Sequence, residues 1–271
     1  MDMARKTVGA ILLNIRGRVK MRLAEILGYR FLLIGQHRYL QDLNRDSSVH
    51  SSALHETLVK HLPSRPGFYV ELGANDGVTG SNTLFLELFR GWRGLLIEPV
   101  SESFRLLSRN RSSKRNHLVR AACVSFGYAS NWVEIAVANL MSTPLGLDSD
   151  ISDPIAHATA GLTYSKHLTE LRIEKVPAAT LTEILREHRG PRVIDFLSLD
   201  VEGAELEVLK GVDFLDFEIR LILVEAREPD RIIEFLAVRD YILLAQASPI
   251  DYLFSLQPRD HSLPLSTKAV A

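Results

Sequence analysis

Residues 68–77 constrain the chain more than any other stretch: Phe68-Tyr69-Val70-Glu71-Leu72, then Gly73-Ala74-Asn75-Asp76-Gly77. An apolar run this short, carrying an acid near its end and followed at once by a glycine-punctuated loop, reads as a buried strand entering a tight turn. Ser81, Asn82 and Thr83 then open an amphipathic helix. Strand, glycine loop and helix in that order make the nucleotide-binding corner of a doubly wound α/β fold. Glycines there let the backbone turn sharply and approach a ligand closely.

The spacing departs from the dinucleotide fingerprint, which needs three glycines as G-x-G-x-x-G. Only Gly73 and Gly77 fall in the tight loop, and Glu71 closes the strand. This suits a cofactor with an amino-acid portion and no pyrophosphate, for which S-adenosylmethionine (SAM) is the candidate. Gly94-Leu95-Leu96-Ile97-Glu98-Pro99 is a second short strand ending in a carboxylate, 21 residues after Gly77. A carboxylate at that tip can accept hydrogen bonds from both hydroxyls of a ribose. A third strand-to-helix switch, Phe196-Leu197-Ser198-Leu199-Asp200-Val201-Glu202-Gly203-Ala204-Glu205, sets Asp200 and Glu202 close together.

These segments resemble the FkbM family of SAM-dependent methyltransferases. The resemblance is carried by Glu71 through Gly77, Ser81-Asn82-Thr83, Trp92-Arg93-Gly94 through Pro99, and Leu199 through Glu205 with Val208-Leu209-Lys210-Gly211. Weaker echoes are Thr180-Leu181 and Asp251-Tyr252-Leu253-Phe254, and the whole spans roughly residues 66–256. It implies a Rossmann-like class I methyltransferase fold, with a mostly parallel seven-stranded sheet and an antiparallel C-terminal edge. It also implies methyl transfer, usually to a hydroxyl oxygen, and leaves the acceptor open among sugars, glycans and secondary metabolites.

The alternation along the chain agrees with an α/β fold. Strands are expected at 68–72, 94–98, 118–124, 193–199 and 219–225, helices at 81–90, 101–110, 181–189, 203–210 and 229–237, and a closing hairpin from the runs 241–247 and 250–256. The methyltransferase domain is placed at 51–257, followed by a flexible tail at 258–271. Residues 1–50 read as an amphipathic helical extension and linker, because Val8, Ile11, Leu12, Ile15, Val19, Leu23, Ile26 and Leu27 recur at helical steps beside a basic face. Such a segment caps a core, pairs two copies as a homodimer or rests peripherally on an anionic membrane. The interval 126–176 breaks the rhythm and lacks clear periodicity over 139–165; residues 139–176 are taken as an acceptor-binding insertion or lid carrying His157, Thr159, Thr163, Tyr164 and His167. Across 271 residues the net charge of −1 gives no pointer to nucleic acid, and the single cysteine, Cys123, excludes an internal disulfide and fits a reducing cytoplasm.

The chemistry is assigned as follows. Glu71 lies near the methionine end of the cofactor. Gly73 and Gly77 give backbone room, and Asn75 and Asp76 hold the loop or touch the cofactor. Ser81 reaches the cofactor carboxylate or caps the helix. Glu98 takes the ribose, and the adenine rests on apolar contacts near Ala121 and Ala122. Asp200 serves as base, as metal ligand or as a contact to the methionine amine. Glu202 is its catalytic partner or an acid favoured by a helix start. A divalent cation held by Asp200, Glu202 and Glu225 is allowed but not favoured, since oxygen ligands need more than adjacency in sequence. His157 and His167 are weaker candidates for the base. Three other readings compete: an N- or C-methyltransferase, a non-catalytic protein of the same fold acting through its N-terminal helix, and an NAD-dependent enzyme.

Overall fold

The structure, a computed structural model, describes residues 29–34, 37–42, 52–111, 113–164 and 169–257. The helical periodicity over 8–27, His167 and the tail at 258–271 lie outside the described residues. The chain first forms an antiparallel hairpin of β1 (Tyr29–Ile34) and β2 (His37–Asp42), followed by α1 (Ser52–His61). The hairpin replaces the helix and linker expected over 29–42.

The main unit then alternates through β3 (Phe68–Leu72), α2 (Leu84–Arg90), β4 (Arg93–Ile97), α3 (Ser101–Asn110) and β5 (Asn116–Val119). After an insertion it resumes with α5 (Leu181–Glu187), β10 (Val193–Ile194), β11 (Phe196–Leu199), α6 (Glu205–Leu209), β12 (Glu218–Ile219), β13 (Leu221–Glu225) and α7 (Pro229–Ala237). It closes with β14 (Tyr241–Gln246) and β15 (Asp251–Leu256). The seven-stranded sheet has the order β14-β15-β13-β11-β3-β4-β5. All pairings from β13 to β5 are parallel, and β15 runs antiparallel to both neighbours. The antiparallel strand therefore sits one place in from the edge, and β14 forms the edge itself.

Every residue of β3 is buried, as a central parallel strand covered on both faces requires. One face packs Val70, Leu95, Leu197, Ile222 and Phe254, and the other packs Tyr69, Leu96, Phe196, Leu223 and Leu253. Local signals stop and start the helices. Gly91 at φ 71° ends α2, and Thr180 and Glu183 form a reciprocal capping box on α5. No helix among the described residues is long and apolar enough to cross a membrane.

Three stretches fold differently from their patterns. The run 118–124 splits: β5 stays in the main sheet while β6 (Ala122–Cys123) joins a second one. The runs 193–199 and 219–225 each break at a charged residue. Asp195 accepts from Phe68 N–H at 3.0 Å and pairs with Arg65 at 2.6 Å and Arg220 at 3.0 Å, so β10 and β12 peel away as a separate parallel pair. Finally, the stretch from 126 to 176 is far from structureless. It carries β7 (Trp132–Val137), β8 (Thr143–Leu145), α4 (Pro154–Gly161) and β9 (Arg172–Ala179). These form a four-stranded sheet, β6-β9-β7-β8, whose inner face buries Val133, Ile135, Val137 and Val176 against Val100, Ala122 and Val124.

Candidate functional site

A cavity of about 230 Å³ opens at the carboxyl edge of the main sheet. Its floor comes from the turns after successive strands: Gly73 and Asn75 after β3, Glu98 after β4, Asp200 and Glu202 after β11, and Glu225 at the end of β13. Ala121, Ala122 and Cys123 form one apolar end. The insertion supplies Asn139, Leu140, Ser142, Pro144 and Leu147. Ligands bind outside the carboxyl ends of strands in such sheets, where crossover connections diverge.

The floor is shaped by backbone approach. Gly73 lies at φ 75°, and a Cβ there would fall 1.8 Å from the carbonyl oxygen of Asp200. The first loop thus presses directly on the third strand's turn, which is what brings Asn75 and Asp200 into one cavity. Gly73→Ala should cost about 1–2 kcal/mol for the left-handed conformation and a further 1–3 kcal/mol or so for displacing that carbonyl. Gly91→Ala is the control, since Gly91 has φ 71° with nothing within 4 Å of its Cβ position. Denaturant unfolding should show the first variant clearly less stable than the second, and equal losses would disprove the contact.

Of the residues expected at the cofactor, Gly73, Asn75, Glu98 and Asp200 line the cavity, as does Glu202. Glu71, Asp76, Gly77 and Ser81 lie outside that lining, and each has a part in holding the first loop or the helix entry. Glu71 is buried and accepts from Ser81 Oγ at 3.0 Å, Asn82 N–H at 2.8 Å and Thr83 Oγ1 at 2.6 Å, so its oxygens are committed to the helix entry. Ser81 Oγ in turn accepts from the Thr83 and Leu84 amides. Asp76 accepts from Val78 N–H at 2.8 Å and Thr79 N–H at 2.7 Å, fixing a turn. A Cβ on Gly77 would meet Arg111 Cγ at 2.6 Å, so the constraint there is packing.

The residue that organises this layer is Arg111, which the sequence reading missed. Its buried guanidinium donates to Glu87 at 2.7 Å, to Gly77 O at 3.1 Å, to Ser81 Oγ at 3.0 Å, to Thr83 Oγ1 at 3.0 Å and to Tyr69 Oη at 2.7 Å. It also pairs with Glu71 at 3.4 Å. Nothing local marks it, because an arginine just past a helix end reads as a solvated partner of the helix dipole.

Glu98 is buried and takes one donor on each oxygen: Asn75 N–H on Oε2 at 2.9 Å and Val100 N–H on Oε1 at 2.8 Å. Burial pushes its carboxyl up to about 7 against those two amides. At the opposite end stand Asp200, Glu202 and Glu225. Burial, followed by the charges of Glu225, Glu202 and Glu205, holds Asp200 well above the usual carboxylate range. Glu225 is pushed up to about 7, first by burial and then by Glu202, with Arg227 opposing. Glu202 stands on a left-handed backbone, φ 55°, and has two partners on Oε2: His157 Nε2 at 2.8 Å and Arg227 Nη2 at 3.1 Å. Glu205 accepts from Val201 N–H and Gly203 N–H and caps the turn, a structural part. Among the described residues no group of three or more His, Cys, Asp or Glu is arranged to hold a metal ion.

Known proteins are similar to this chain. The chain is 29% identical over 191 residues to the methyltransferase sdnD of Sordaria araneosa, covering 64% of this chain and 71% of that protein. Among solved structures it resembles an FkbM methyltransferase from Methylobacillus flagellatus KT at 15% identity and TM-score 0.40, covering 70% of this chain and 43% of that one. It also resembles the N-terminal domain of human METTL16 in complex with S-adenosylhomocysteine, at 13% identity and TM-score 0.39, covering 90% and 73%. The profile described as "Methyltransferase FkbM domain" matches residues 71–245, from the acid that anchors the first loop through most of β14, and the chain belongs to that family of methyltransferases.

Proposed function

We propose that this methyltransferase uses SAM and methylates a hydroxyl of a sugar, a glycan or a secondary metabolite. The observation that carries the cofactor is Glu98. Each of its oxygens has one backbone donor, which leaves a lone pair apiece for a vicinal diol, at the wall where Asn75 also stands. The donor set fits the rest of the molecule. The Gly73–Asn75 turn and Thr79 face a polar amino-acid end, and Ala122, Cys123 and Ile135 give an apolar bed for a purine.

Bound SAM supplies a methyl group activated by positive sulfur. The chain must orient the acceptor, exclude water and remove the hydroxyl proton. Leu140, Pro144 and Leu147 of the insertion wall off the cavity with apolar surface. Glu202 is the better placed base. It has the guanidinium of Arg227 beside it, whereas Asp200 has no cationic partner among the described residues and burial favours its protonated form. The acceptor's O–H proton passes to the Glu202 carboxylate as its oxygen becomes the nucleophile.

Calorimetry with SAM tests the first half. Glu98→Ala removes a charged acceptor worth about 1.5–3 kcal/mol, so affinity should fall by roughly ten- to hundredfold. Unchanged affinity would sink the ribose assignment. Radiolabelled methyl transfer from SAM to a panel of neutral sugars and their amino derivatives tests the second half, and label appearing only on nitrogen would reject the hydroxyl acceptor.

A further inference from the structure

His157 sits on α4 of the insertion, outside the cavity wall, and yet its Nε2 lies 2.8 Å from Glu202 Oε2. Its side chain is 17% exposed, so the contact is sheltered from water. The same oxygen receives Arg227 Nη2 at 3.1 Å, and that nitrogen is shared with Glu225 Oε1 at 3.2 Å. Glu202 Oε1 has no hydrogen-bond partner among the described residues, while Glu202 lines the cavity. One oxygen is thus held by two donors from two different segments, and the other is left without one on a residue that lines the cavity.

The insertion is built to deliver that imidazole. Asp153 caps α4 by accepting from Ala156 N–H at 2.9 Å, and His157 lies one turn into the helix. Upstream, Asp150 accepts from Arg227 N–H at 2.6 Å and Glu228 N–H at 3.2 Å, and its own N–H donates to Gly203 O at 3.0 Å. The segment is therefore fastened both to the turn that carries Glu202 and to the turn that carries Arg227. A free glutamate loses rotamer freedom when fixed, and a group fixed in advance avoids that cost when the ligand arrives. Arg227 adds a single donor to that oxygen, from a nitrogen that also serves Glu225.

We propose that His157 is a positioning residue for Glu202: by occupying Oε2 it holds Oε1 toward the acceptor side of the cavity. The proposal rests on Glu202 being the base of the reading above. It gives the insertion a part in the chemistry besides walling off the acceptor.

Sinefungin, the SAM analogue with an amine in place of the sulfonium methyl, reads negative charge on the acceptor side without any acceptor. The measurement is its calorimetric affinity relative to S-adenosylhomocysteine, so that general damage to the cofactor pocket cancels. The wild type should prefer sinefungin. Glu202→Gln should lose roughly tenfold or more of that preference, as removal of a charged hydrogen-bond partner does. His157→Phe should lose roughly three- to tenfold, a part of the same interaction, while S-adenosylhomocysteine affinity stays as in the wild type. His157→Gln, which still carries a donor, should retain the preference. If neither the wild type nor Glu202→Gln shows the effect, the base reading fails and this proposal with it. If Glu202→Gln loses the preference and His157→Phe keeps it, only the positioning role is overturned. Parallel loss of both affinities in His157→Phe, or a loss in His157→Gln equal to that in His157→Phe, overturns it as well.

Discussion

Arg111→Met is expected to destabilise the protein by about 3–5 kcal/mol, the usual cost of stripping one partner from a buried ion pair. For a domain of this size that is a fall in the thermal midpoint of roughly 10 °C. The reason is the company Arg111 keeps. Its side chain is fully buried, and Glu71 and Glu87 are 4% and 6% exposed, so both carboxylates would be left charged away from water. The fork also holds the Gly77 carbonyl, Ser81, Thr83 and the Tyr69 hydroxyl, which burial raises above its ordinary range with Arg111 opposing. Arg111→Lys keeps the charge but cannot reproduce this geometry, and it should fall between the two. SAM affinity should drop in step, because the loop that carries Asn75 is fastened through Gly77. Arg105→Met, on the exposed face of α3, the helix that ends just before Arg111, serves as the control. A difference from that control of under about 1 kcal/mol would show the network to be dispensable, since surface substitutions fall within such a range.

Without ligand, the protein should lose stability as pH rises from 5 to 8, opposite to the usual behaviour of carboxylates. Glu98 and Glu225 sit at about 7 and Glu205 at about 8, each raised from 4.5 chiefly by burial. Between 4.5 and those values the folded chain holds protons that the unfolded chain has released. Stability from these groups is then complete below 4.5 and disappears as pH rises through 7 to 8. Each contributes up to about 1.4 kcal/mol per pH unit within its window, with less than additive sums at Glu225, which titrates together with its neighbours. Asp148 has the opposite sign, but its carboxyl is held down at about 2 by Arg231 and Lys210, and it matters only in strong acid. Urea unfolding at pH 5.5 and 8.0 measures the slope, and a rise in stability over that interval would contradict it. Ligand should flatten the slope. Ribose hydroxyls donating to Glu98 favour its charged form, so SAM binding near pH 7 should release protons, seen as a dependence of the binding enthalpy on the buffer.

Much of the fold was legible because it rests on short-range rules. Phe68 through Gly77 forced a strand and a turn, and Glu98, Asp200 and Glu202 could be placed at strand tips by counting. The insertion was legible in part. Val133, Ile135 and Val137 alternate with Trp132 and Glu134, which is a strand pattern, and Asp153-Pro154 is a helix start. Only β8 has no signal of its own, since three residues including a proline become a strand only by pairing with β7.

Side-chain roles were less legible. Glu71 and Glu98 look alike in sequence, each an acid at the end of an apolar strand before a loop. The structure turns Glu71 toward Ser81, Asn82 and Arg111 and leaves Glu98 on the cavity. What separates them is a guanidinium 40 residues further along the chain, which no local pattern announces. His157 likewise meets Glu202 across 45 residues. The sequence by itself determined where the chain turns and which acids stand at the tips of strands, because periodicity and backbone conformation act over a few residues. Only the tertiary structure decided which acid is scaffold and which faces the cavity, because a buried carboxylate's surroundings are set by the donors packed around it, and those arrive from remote parts of the chain.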